Sequence, residues 1–133
     1  MADTVSIAGA WAYQSYLNSA GQPIFGAGTF TFATPTATTL QGTLEFGGGL
    51  GLDLQGTIRP ATDTCPLAFD IVGTGRAGTG TAGWEYDYNG VLARQWPNGI
   101  DQAPSLVGST IRAKPHDGGA AGLTASFIAV RQA

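Results

Sequence analysis

The sequence predicts an all-β protein, an antiparallel up-and-down barrel of about eight strands. Apolar and polar residues alternate along much of the chain, as they do in strands that have one buried face. The 21 glycines and 7 prolines interrupt this alternation at short intervals and leave no long segment with apolar residues at helical spacing. Many short antiparallel strands joined in sequence expose no sheet edge once the sheet closes, which favours a barrel.

Residues 38–58 give the clearest example of two paired strands. Apolar residues take alternate positions in 38–46 and again in 50–58, so each segment has one buried face. Gly47-Gly48-Gly49 lies between them and supplies the positive φ angles that a tight hairpin requires. We expect residues 1–133 to form a single barrel domain. The same pattern along the whole chain predicts strands near 7–16, 25–33, 38–46, 50–58, 67–74, 82–88, 91–96, 104–113 and 122–131.

The composition argues against several kinds of partner. The chain is 43% hydrophobic and 11% charged, with a net charge of −3, and its six basic residues are scattered. Such a chain has no basic stripe, so no nucleic-acid partner is expected. No apolar run approaches the roughly 20 residues of a membrane span, so no membrane partner is expected. The first residues contain neither a basic segment nor a long apolar run, which predicts a cytoplasmic protein, or a secreted one if a leader was removed.

Cysteine and histidine each occur once, as Cys65 and His116. Metal sites built from protein ligands usually use several such residues, so no metal and no cofactor are expected. Cys65 is expected to be a small buried side chain in a turn. His116 is expected to be a solvated loop residue, although at a barrel mouth it could act as an acid beside Asp117. The G-x-G-x-x-G pattern at 73–78 is followed by more glycines instead of a helix, which predicts a turn rather than a nucleotide site.

The two ends of the chain share a feature with a known superfamily. Gly9-Ala10-Trp11 opens the first predicted strand, and Arg131 ends the last one. This arrangement resembles the calycins, the lipocalins and avidins, in which a G-x-W tryptophan packs beneath an Arg or Lys of the last strand. The resemblance implies an eight-stranded barrel that is closed at one end by a cation over the indole ring of Trp11. The absence of a helix before the last strand makes the avidins the closer likeness. No match to the biotin-binding residues of the avidins is present, so the resemblance does not imply biotin as the ligand.

A second likeness involves the predicted fifth strand. Phe69-Asp70-Ile71-Val72-Gly73-Thr74-Gly75, followed by more glycines, is similar to the G-T-G turn of allene oxide cyclase and dirigent barrels. Those barrels also have eight strands and guide reactive intermediates to products. This resemblance therefore implies the same architecture with a catalytic or guiding role.

The segment 83–99, GWEYDYNGVLARQWPNG, concentrates aromatic and charged residues. Its Asn89-Gly90 pair lies between two alternating runs, which predicts a β-hairpin with a type I′ turn. In that hairpin Glu85 would face Arg94 and form an exposed cross-strand ion pair. Glu85, Asp87 and Arg94 would then share the outer face of the barrel.

The same register directs Trp84, Tyr86 and Tyr88 into the barrel. Together with Tyr13 and Trp96, they would line an aromatic cavity that binds a small hydrophobic molecule. Buried hydroxyls need hydrogen-bond partners, so several inward phenols favour a cavity. The alternative is that the rings simply fill the core of a small barrel.

The opposite register places Glu85 and Asp87 inside the barrel. Two buried carboxylates would have raised pKa values, and the outward rings would form an apolar patch typical of a homo-oligomer interface. This register favours a cofactor-independent isomerase, cyclase or lyase that acts on a hydrophobic substrate. Whichever register holds, such an enzyme would use Tyr86 or Tyr88 as proton donor and His116, or a buried Glu85 or Asp87, as base. A binding protein, an enzyme and a structural or interaction module, which needs only the outward rings, all remain open at this point.

Overall fold

The structure, a computed structural model, describes residues 6–132 and contains eight β-strands. The described residues contain no helix. The strands are β1 (Gly9–Leu17), β2 (Ile24–Ala33), β3 (Thr39–Gly47), β4 (Leu50–Arg59), β5 (Ala68–Gly75), β6 (Glu85–Leu92), β7 (Ser105–Arg112) and β8 (Thr124–Arg131).

Each strand pairs antiparallel with the next, and β8 pairs with β1, so the sheet closes into an up-and-down barrel. This confirms the fold class that the alternation predicts. The turn between β3 and β4 has positive φ angles at Gly47, Gly48 and Gly49, as a tight glycine hairpin requires.

The predicted hairpin at Asn89-Gly90 is wrong. Segments 82–88 and 91–96 were expected to be two strands, but β6 runs without a turn from Glu85 to Leu92. Neither Asn89 nor Gly90 has a positive φ, which a type I′ turn would need at both positions. Both residues are paired on both sides, with β5 and with β7.

Gly90 is required by packing instead of by a turn. A Cβ at Gly90 would lie 2.8 Å from the ring of Phe69 and 3.1 Å from the ring of Phe127, and 2.6 Å from the carbonyl oxygen of Val107. The inward face of β6 therefore has no room for a side chain at this position. The glycine of the Asn89-Gly90 pair is therefore explained by close packing against residues that are distant in sequence, and not by a turn.

One end of the barrel is filled. There the Arg131 guanidinium carbon lies 4.5 Å from the centroid of the Trp11 ring, which is the contact that the resemblance to the calycins implies. Trp11 is fully buried, and its Nε1 donates a hydrogen bond of 2.9 Å to the Ile7 carbonyl. Nη2 of Arg131 donates to the Ser6 carbonyl, so this side chain also ties down the chain before β1. We call this the closed end.

The opposite end, the open end, is formed by the connections 18–23, 48–49, 76–84 and 113–123. Connections 34–38, 60–67 and 93–104 lie at the closed end. The segment that contains G-x-G-x-x-G finishes β5 and continues as turns, with a positive φ at Gly78, so no helix begins there.

Candidate functional site

A cleft of about 340 Å³ lies inside the open end of the barrel. Its lining is mostly aromatic and contains one guanidinium and one imidazole but no carboxylate. The lining residues are Tyr13, Ser15, Phe25, Gly26, Ala27, Phe46, Leu50, Trp84, Tyr86, Tyr88, Arg112 and His116.

The aromatic walls follow from the alternation of β6. Tyr86 and Tyr88 are buried and point inward, and Trp84, just before the strand, is half-buried on the same face. The predicted inward direction of these three rings is therefore correct, although the hairpin from which it was argued does not exist. Gly73 on β5 makes room for the Tyr88 ring, because a Cβ there would lie 3.3 Å from it.

Two phenols form the floor of the cleft. The rings of Tyr13 and Tyr88 have centroids 6.0 Å apart in an edge-to-face arrangement. Burial raises the pKa of Tyr13 to about 12, an effect that the nearby Ser15 and Tyr88 hydroxyls only partly offset. Burial, with the neighbouring Tyr13, also raises the pKa of Tyr88 well above its ordinary value. Both phenols therefore stay neutral at physiological pH and can act as hydrogen-bond donors.

His116 reaches the cleft from the loop 113–123. The loop turns back on itself through two backbone hydrogen bonds between His116 and Gly119, and Asp117 adopts a positive φ of 49°. This turn places the imidazole over Trp84, with ring centroids 4.0 Å apart and planes inclined by 21°. His116 is thus a wall of the cleft and not a solvated loop residue.

A chain of hydrogen bonds joins His116 to two neighbours. Its Nδ1 lies 3.0 Å from an Asp117 carboxylate oxygen, and its Nε2 lies 2.5 Å from the Tyr86 hydroxyl oxygen. In a neutral imidazole, Nδ1–H donates to Asp117 and Nε2 accepts the proton of Tyr86. Arg112 Nε donates to the same Tyr86 oxygen at 3.0 Å.

Arg112 is the last residue of β7 and pairs with Tyr86 in the sheet. Its guanidinium carbon lies 5.5 Å from the Phe25 ring centroid and 5.9 Å from that of Tyr86. Nη1 donates to the Ala120 carbonyl at 3.3 Å, which ties the guanidinium to the loop that carries His116. Sequence reasoning did not single out Arg112, but the inward positions of β7, which are 106, 108, 110 and 112, contain the signal.

The carboxylates of β6 lie on the outer face. Glu85 pairs with Lys114, with Oε1 and Nζ 3.6 Å apart, so the predicted Glu85–Arg94 pair is wrong. That pair depended on the hairpin, and Arg94 lies instead in the exposed connection after β6. Partial burial and the charge of Glu85 raise the pKa of Asp87. Neither carboxylate lines the cleft, so the register that would bring them inside is excluded.

Trp96 lies apart from the other candidate residues. Because β6 continues through Asn89-Gly90, Trp96 falls in the 93–104 connection at the closed end, where it is 79% exposed. It therefore does not line the cleft with Tyr13, Trp84, Tyr86 and Tyr88. Cys65, expected to be buried, is also exposed, in the 60–67 connection.

Within residues 6–132, no group of three or more His, Cys, Asp or Glu side chains could hold a metal ion. Over the same residues there is no helix long and apolar enough to cross a membrane. Comparison of the chain with protein-family models, curated proteins and solved structures found no match.

Proposed function

We propose that this protein binds a small, mainly apolar, aromatic molecule in the cleft at the open end of the barrel. The observation that carries this proposal is the composition of the cleft: aromatic rings form the walls, and a few polar groups converge at one rim. Tyr13, Trp84, Tyr86 and Tyr88 would contact the ligand with their rings. The hydroxyl groups of the three tyrosines would fix its orientation.

The calycin resemblance supports this function at the level of a barrel type. The cation–indole contact of Arg131 and Trp11 stabilises one end and leaves the other end available for a ligand. A barrel with a filled closed end and a cleft at the open end suits a carrier or sensor, whose ligand enters and leaves chemically unchanged.

The test is an NMR titration that follows the indole N–H signals of the three tryptophans. The Trp84→Phe and Trp96→Phe variants assign two of these signals and form a matched pair. We expect naphthalene-2-carboxamide to shift the Trp84 signal saturably and to leave the Trp96 signal unchanged, because only Trp84 lines the cleft. If small bicyclic aromatics shift no indole signal, or only that of Trp96, the proposal is wrong.

A second function, that of a cofactor-independent enzyme, is favoured by the hydrogen-bonded chain of Asp117, His116 and Tyr86. Asp117 orients the imidazole, and the imidazole can accept a proton at Nε2. Arg112 would stabilise negative charge on the Tyr86 oxygen. These groups could move a proton on a bound hydrophobic carbonyl compound, which is the elementary step of an isomerase, cyclase or lyase.

Exchange of the α-hydrogens of 1-tetralone in heavy water tests this second function. Catalysis predicts exchange above the buffer rate that is lost in His116→Ala and Tyr86→Phe. The Glu85→Gln variant is the control, because its carboxylate faces outward and pairs with Lys114. Exchange at the buffer rate, or exchange that survives in His116→Ala, would leave ligand binding as the function.

A further inference from the structure

We propose that the ligand of the cleft carries an anionic group, a carboxylate or a similar planar oxyanion, that Arg112 binds at the rim. This inference rests on the proposed binding function and assigns a chemical class to the ligand: an aromatic acid. The apolar part would lie among the rings, and the acid group would face Arg112.

The charge of the cleft lining favours an anionic ligand. The chain as a whole has a net charge of −3, yet the cleft contains one permanent cation, Arg112, and one imidazole, His116, with no carboxylate. Two neighbouring carboxylates have other partners: Glu85 pairs with Lys114, and Asp117 bonds to His116. The residues that line the cleft therefore carry a positive formal charge within an acidic protein, which favours an anion there.

The Arg112 guanidinium has N–H groups that remain available to a ligand. Nε donates to Tyr86 and Nη1 donates to the Ala120 carbonyl, while no described residue accepts a hydrogen bond from Nη2. Within residues 6–132, no carboxylate lies within salt-bridge distance of Arg112. A guanidinium presents paired N–H groups that match a carboxylate in two parallel bonds.

The Arg112 guanidinium is also held in place by its neighbours in the protein. The Phe25 and Tyr86 rings lie within 6 Å of it, and Gly119 lies so close that a Cβ there would be 2.2 Å from Nη1. Tyr86 and the Ala120 carbonyl fix two of its nitrogens. A fixed cation binds an anion with little loss of side-chain freedom, which increases the affinity.

Calorimetric titration with two probes of equal shape tests the inference: naphthalene-2-carboxylate and naphthalene-2-carboxamide. We expect the carboxylate to bind at least about tenfold more tightly to the natural protein, as charge-assisted hydrogen bonds predict. In Arg112→Gln the two probes should bind about equally. Arg94→Gln is the matched control, because it removes the same charge from an exposed position at the closed end and should keep the preference.

Two results would overturn the inference while leaving the binding function intact: equal affinity of the two probes for the natural protein, or a preference that persists in Arg112→Gln. If Arg112→Gln does not fold, the Arg112→Lys variant is titrated instead. Lysine supplies a point charge without the paired N–H groups, so this variant should keep only part of the preference for the carboxylate over the carboxamide. Failure of both probes to bind the natural protein would remove the proposed function and this inference with it.

Discussion

Burial controls the chemistry of the two phenols at the floor of the cleft. Tyr13 and Tyr88 are 3% and 2% exposed, and each has its pKa raised by loss of hydration. The inward direction of both side chains could be predicted from alternation, because successive residues of a strand face opposite sides. The pKa shifts could not be predicted from the sequence, because they depend on neighbours from other strands.

The shift of Tyr13 predicts a loss of stability in alkali. Its folded-state pKa of about 12 lies above the ordinary value of 10.0, so the stabilising difference is complete below about pH 10 and is lost as the pH rises through 12. Between these values the free energy of unfolding should fall by about 1.4 kcal/mol per pH unit for this phenol. Denaturant unfolding across this range measures the slope.

The Tyr13→Phe variant supplies the control for that slope. It should unfold with a weaker dependence on pH between 10 and 12, because the phenol that resists ionisation is gone. An unchanged slope in this variant would mean that Tyr13 does not resist ionisation in the folded protein.

Among the elements, β6 and the loop 113–123 determine where several of the candidate site residues lie. The alternation of β6 predicts which residues face the cleft. The Asn89-Gly90 pair, however, predicts a turn in the middle of what is one continuous strand. The sequence of a hairpin turn and that of a strand with a glycine in a crowded position look alike locally. The placement of His116 was not predictable either, because its loop is fixed by contacts with Trp84 and Tyr86, which come from another part of the chain.

Substitutions at the Asn89-Gly90 pair distinguish a continuous strand from a turn. Asn89→Thr should be neutral or slightly stabilising, because Asn89 is an exposed strand residue and threonine favours strands. Gly90→Ala should destabilise by about 1–3 kcal/mol through overpacking against the Phe69 and Phe127 rings. Chemical denaturation measures both effects. A type I′ turn would give the reverse for Asn89→Thr, a marked destabilisation, since threonine strongly disfavours positive φ.

In the whole molecule, the filled end and the cleft lie at opposite ends of the barrel. The closed end carries the fully buried Trp11 beneath Arg131, and the open end carries the cleft. The closed architecture was predictable because strand alternation and frequent turns extend along the entire chain. The position of Arg112 in the cleft was not predictable, because an arginine on a strand normally faces water and its inward position here depends on the register of β7.

Truncation of Trp11 tests the role of the closed end. Trp11→Ala should lower the free energy of unfolding by about 3–5 kcal/mol, as loss of a buried aromatic ring does. The variant should also lose the hydrogen bond to the Ile7 carbonyl. Trp96→Phe, at an exposed position of the same end, should change stability by less than about 0.5 kcal/mol. Equal effects of the two substitutions would contradict the account of the closed end.

Blocking the cleft tests the central claim most directly. A Cβ at Gly26 would lie 3.3 Å from the Ser15 hydroxyl and 3.9 Å from the Tyr13 ring, so the side chain of Gly26→Leu would extend over the floor of the cleft. In calorimetric titration with naphthalene-2-carboxylate, we expect saturable one-to-one binding to the natural protein and loss of binding in folded Gly26→Leu. Equal affinity of the two proteins would place the ligand elsewhere and contradict the account.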